Sequence, residues 1–132
     1  METNAPKKRT ITLSGRPPVK IVEEDWPEIA VGSRKDWDGQ YDFQANRTWK
    51  DFIRVRQHED GRAIVYGVSD YDTLFQGEKG YCYKAGKLLT PGEDIPSAIY
   101  TVANHLAELG GPEIELNRIA EECIADLPAE EI

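Results

Sequence analysis

Five acids fall close together in the middle of the sequence: Glu59, Asp60, Asp70, Asp72 and Glu78. Paired carboxylates of this kind can hold Mg²⁺ for phosphodiester cleavage. A common nuclease pattern adds a lysine two residues after an acid on a strand, and no Asp/Glu-x-Lys triplet occurs in the chain. Short acidic side chains also populate turns, where they hydrogen-bond their own backbone. That second reading suits these five better, and no metal site is assigned.

The other chemistry-bearing types are sparse. His58 and His105 lie in no nucleophile motif, and no Gly-x-Ser-x-Gly elbow exists. Neither phosphate-cradling glycine loop is present. Cys82 and Cys123 are far apart in sequence, and with the two histidines they are the only soft metal ligands. A structural zinc site needs four, closely placed. No catalytic residue, no metal ligand and no cofactor is therefore assigned. Asn46-Arg47-Thr48 matches a glycosylation acceptor, which is taken as a chance match because the basic N-terminus lacks an apolar signal region.

Two surfaces carry binding expectations. Lys50, Phe52, Arg54 and Arg56 alternate along one face of a predicted strand. Basic residues interleaved with aromatics on a sheet can follow phosphates and stack bases. Against this, the net charge is −8 and the sequence pI is about 4.8, whereas nucleic-acid footprints are normally basic. The second surface is acidic. Residues 1–107 hold 15 basic against 16 acidic side chains, while residues 108–132 hold one base, Arg118, against eight acids. Acidic helices of that kind complement basic partner surfaces and accelerate association. Glu113, Glu115, Glu121 and Glu122 are the candidate contacts, joined by Trp37 and Tyr41 from an aromatic loop. Trp49 is placed in the core.

These residues need elements to hold them. Alternation predicts strands at Arg9–Leu13, Val19–Val22 and Glu28–Arg34, then a polar aromatic loop to Asn46. Thr48–His58 and Arg62–Ser69 are the clearest strands, joined by Glu59-Asp60-Gly61. The second is apolar on both faces, so it is central and covered on both sides. Asp70-Tyr71-Asp72 and Ala85-Gly86 are predicted turns around short strands at Thr73–Gln76 and Gly80–Tyr83. Asp94 caps a first helix, Gly110-Gly111 ends it and Pro112 opens a second.

The fold class is thus α+β: an antiparallel sheet of about five or six strands followed by two C-terminal helices packed on it. Within 132 residues the expectation is a flexible arm at 1–8, one domain at 9–127 and an acidic tail at 128–132. No apolar run approaches the ~20 residues of a membrane helix, so no membrane partner and a cytoplasmic location are expected. The function expected is a non-enzymatic protein-binding factor, such as an inhibitor, immunity or accessory regulatory protein, meeting a partner with a basic surface. The alternatives are a nucleic-acid-binding module on the Lys50/Arg54/Arg56 face and an enzyme whose site is assembled only in space.

Overall fold

The computed structural model describes residues 5–38 and 46–129, with the backbone alone for 35–38. It has six strands and two long helices: β1 Lys8–Ile11, β2 Val19–Val22, β3 Glu28–Asp38, β4 Arg47–Gln57, β5 Ala63–Thr73, β6 Tyr81–Leu89, α1 Ile95–Leu109 and α2 Glu113–Asp126. The α+β class holds, with the strands divided between two sheets. β3 to β6 form a four-stranded antiparallel meander, and β1–β2 is a separate hairpin.

The meander is a sandwich filling. α1 and α2 cover one face, where Ile53, Val55, Val65 and Leu89 meet Ile99, Val102, Leu106, Leu116 and Ile119, all essentially inaccessible. The hairpin covers the other, where Ile11, Leu13, Ile21 and Trp26 pack on Ile64 and Tyr66. β5 is therefore central and covered on both sides, as its two-sided apolarity requires.

The structure departs from the sequence reading at several places, and residues 74–76 of the expected strand Thr73–Gln76 lie outside any strand. β3 runs on to Asp38, because Arg34–Asp38 pair with Arg47–Asp51, so residues 35–38 of the expected loop are strand and most of the remainder lies outside the described residues. A bulge at Ile29 shifts the register of β3: Glu28 pairs with Arg56 and Ala30 with Val55, so Ala30 joins Ile29 against the helix-side core. Asp70–Thr73 is not a turn: it continues β5 and pairs across to Arg47–Lys50. Ala85-Gly86 is likewise strand, not turn. Gly86 serves close approach, since a Cβ there would strike the carbonyl oxygen of Thr12.

α1 is capped as anticipated, whereas α2 begins at Glu113 with Pro112 just before it and no side-chain cap. Asp94 accepts from the Ser97 amide, and Gly110, at φ 126°, ends α1. α2 sits so low on the sheet that β3 needs glycine beneath it. A Cβ on Gly32 would overlap the Ile119 carbonyl oxygen and lie 2.8 Å from the Cys123 amide. Both sheet edges are blunted. Asp126 accepts from the outward Val31 amide at 2.9 Å, and Ser14 bonds Gly86 on the opposite edge.

Candidate functional site

The helices stop short of one end of the sheet. The strands β4, β5 and β6 run on past the α1–α2 turn, and their helix-side residues there are aromatic. Trp49 stacks on Tyr71 with centroids 5.1 Å apart, Tyr71 meets Tyr81 at 5.5 Å, and Tyr81 stacks on Tyr83 at 4.6 Å. The ladder follows from register: Trp49 opposes Tyr71, and Tyr71 opposes Tyr81. Cross-strand aromatic pairs of this kind stabilise a sheet and rigidify one another. All four rings are half-buried. Trp49 therefore lies at the open end of the sheet, not in the core where it was expected, because no helix reaches it.

Trp49 and Tyr71 are each held beside charged groups. The Arg34 guanidinium lies 5.2 Å from the Trp49 ring centroid. At the β5–β6 connection Tyr71 donates to Glu78 at 2.6 Å, and Glu78 accepts from Arg47. Arg47 and the Tyr71 hydroxyl hold the Glu78 carboxyl below its ordinary range, while the hydrogen bond to Glu78, with burial, pushes the Tyr71 phenol up. Arg47 also lies over Phe75 at 4.3 Å.

Beneath the ladder is a buried carboxylate. Asp51 is 1% exposed. Its Oδ1 accepts from the Ser69 hydroxyl at 2.8 Å, while Oδ2 has no hydrogen-bond partner and faces the Arg34 guanidinium at 4.0 Å. Burial pushes the Asp51 carboxyl above its usual range, opposed by the Ser69 hydrogen bond and the Arg34 charge. Burial also raises the Tyr81 phenol. The α1–α2 turn closes over this cluster, with Gly111 backed onto Ser69.

The first turn of α2 brings acid to the same place. Arg34 lies 4.0 Å from Glu115, which also bonds Arg118 at 3.0 Å. Glu113 is exposed beside it. Two large apolar side chains flank this turn in water, Leu109 at 51% and Ile114 at 84% exposure. Glu121 and Glu122 are exposed two turns further along, and Glu122 shares Arg118. The structure therefore brings Glu115 to the aromatic end, with Glu113 exposed in the same turn, and leaves Glu121 and Glu122 apart. Trp37 is placed only by register, opposite Thr48. Its side chain, and Tyr41 altogether, lie outside the described residues.

The basic strand face is on the opposite side of the sheet. Arg56 is buried, donating to the Tyr66 hydroxyl and the Trp26 carbonyl, both at 3.0 Å. Arg54 pairs with Glu28 at 3.2 Å and lies over Phe52 at 4.6 Å. Phe52 itself packs under the hairpin. Lys50 is exposed, but directly opposite Asp70 in register. With Asp72 they line an open cleft of about 400 Å³. Among the described residues, no group of three or more His, Cys, Asp or Glu is placed to hold a metal ion.

No protein-family model, curated protein or solved structure matches this chain. Among the described residues, no helix is long and apolar enough to cross a membrane.

Sequence reasoning missed Ser69, Tyr71, Tyr81 and Tyr83 as neighbours of Trp49 and Asp51. A signal was present: Trp49/Asp51, Ser69/Tyr71 and Tyr81/Tyr83 each repeat at a spacing of two. The break drawn at Asp70 hid it.

Proposed function

We propose that the chain is a non-enzymatic protein-binding factor that seats a basic partner surface against the open end of its helix-side sheet. The observation that carries this reading is the half-exposed ladder Trp49–Tyr71–Tyr81–Tyr83, held rigid on three strands, with Gly110 of the α1–α2 turn against Tyr83. Tryptophan and tyrosine anchors, already ordered before contact, are the usual centres of interface energy. Glu115 borders the anchor through Arg34 and, with Glu113 in the same helix turn, favours a cationic approach. Occlusion of the partner's surface is the mode of action, and it needs no reacting group.

The nucleic-acid reading on Lys50, Phe52, Arg54 and Arg56 has less support, since Arg56 is consumed inside the fold and Arg54 is paired. The test is affinity capture from the native host with four baits: the native chain, Trp49→Ala/Tyr81→Ala, Glu113→Lys/Glu115→Lys and Lys50→Ala/Arg54→Ala. One protein retained by the native chain and the last bait, and lost from the other two, is the expected result. Retention that follows the last bait and vanishes on nuclease treatment would replace this reading with the nucleic-acid one.

A further inference from the structure

We propose that a second site, sharing no residue with the ladder, binds a phosphomonoester group in a small cationic pocket between α1, β6 and the turn after β1. The pocket measures about 230 Å³, and its polar walls are Ser14, Arg16, Lys87, Thr101 and His105. No carboxylate lines it. That is notable in a chain of 24 acidic against 16 basic residues.

Three elements supply the charge and hold it together. Ser14 is fixed to β6 by its amide, which donates to the Gly86 carbonyl at 2.8 Å, and by its hydroxyl, which accepts from the Gly86 amide at 3.3 Å. The same hydroxyl lies 3.1 Å from His105 Nδ1. Because the oxygen already accepts from an amide, its own proton is best directed to Nδ1. The ring proton then sits on Nε2, where it is a donor. The Thr101 hydroxyl is spent on the Ser97 carbonyl and serves only as wall.

Arg16 and Lys87 are exposed and take part in no ion pair among the described residues. Glu93 feels the Lys87 charge but forms no ion pair with it, bonding Thr90 instead. Two cationic side chains and a ring N–H suit a dianion better than a carboxylate, and the guanidinium fork matches phosphoryl oxygens. Leu13, Gly86 and Leu88 complete the lining. The backbone of β6 approaches the turn this closely only because residue 86 is glycine.

Inorganic phosphate is the probe, titrated into the full chain at constant ionic strength and followed by amide NMR. The Ser14 and Gly86 signals should shift and saturate with a Kd of about 1 mM. Arg16→Ala/Lys87→Ala should weaken this at least about tenfold, while Arg16→Lys, which keeps the charge, should weaken it much less. Both side chains are exposed, so an unchanged melting midpoint in chloride will certify the fold of each variant. Sedimentation with phosphatidic acid vesicles but not phosphatidylcholine vesicles would place the phosphoryl group on a lipid. Saturable phosphate binding without sedimentation would place it on a soluble molecule. A shift that never saturates, or one equal in the double variant, overturns the proposal.

Discussion

Replacing Gly32 with alanine tests the seating of α2, and through it the position of the acidic first turn. The added Cβ would overlap the Ile119 carbonyl oxygen and approach the Cys123 amide to 2.8 Å. Both obstacles are helix backbone, so no side chain can swing aside. The helix must lift by about 1 Å. Its buried residues Leu116, Ile119, Ala120 and Cys123, each 0% exposed, then lose contact with the sheet. A 14-residue helix is about 21 Å long at 1.5 Å per residue. Lifting a footprint about 8 Å wide opens about 170 Å³, which at about 24 cal/mol per Å³ is ~4 kcal/mol. Relaxation by tilting would halve this, so the expected loss is about 2–4 kcal/mol. Urea unfolding of G32A measures it directly, with Gly77→Ala as the comparison. Gly77 is at φ +89° with nothing within 4 Å of its would-be Cβ, so only left-handed strain of about 1 kcal/mol applies there. A G32A loss no larger than that of Gly77→Ala would refute the seating of α2 on β3.

Arg56→Ala should destabilise by about 2–4 kcal/mol, because the Tyr66 hydroxyl and Trp26 carbonyl lose a buried charged donor, whereas Lys50→Ala should stay within about 0.5 kcal/mol. Urea midpoints of the two variants separate a structural arginine from a free basic face. Cys82 is exposed and should react with a thiol reagent at once, while Cys123 is buried with its thiol pushed up to about 12 and should react only on unfolding; two fast thiols in the native protein would contradict this. Asp51 has its folded carboxyl raised by burial, so its stabilising effect is present below the unfolded value and is lost as pH rises through the folded one. Asp51→Asn should flatten that slope and leave the protein as stable or more stable at neutral pH. A large loss there, in unfolding measurements across pH, would mean that the Arg34 pairing outweighs desolvation.

The alternation of apolar and polar residues was enough to place the cores of β3, β4 and β5, but the strand order and the extent of β6 were not legible in it. Arg62–Ser69 stood out as central because both its faces are apolar, and Asp94 and Gly110 marked the helix ends by their capping chemistry. What was hidden depends on pairing. Asp70-Tyr71-Asp72 carries turn residues, yet it is strand because Thr48–Lys50 oppose it across the ladder. The bulge at Ile29 leaves no local mark, since it is set by where β3 must meet β4. Trp49 looked like core because a large aromatic usually is, and only the length of the helices shows that nothing covers it. The acids of α2 are alike in sequence. Their difference is spatial: Glu115 reaches Arg34 beside the ladder, whereas Glu122 does not.

The affinity of the captured partner for Trp49→Ala, compared with Glu121→Ala, tests the proposed interface most directly. Trp49 anchors the ladder, and Glu121 stands away from it on the same acidic helix. Loss of about 2 kcal/mol, or ~30-fold in Kd, for Trp49→Ala with less than about threefold for Glu121→Ala is the expected result. Equal and small losses for both, or a large loss for Glu121→Ala alone, would contradict a partner seated on the aromatic end of the sheet.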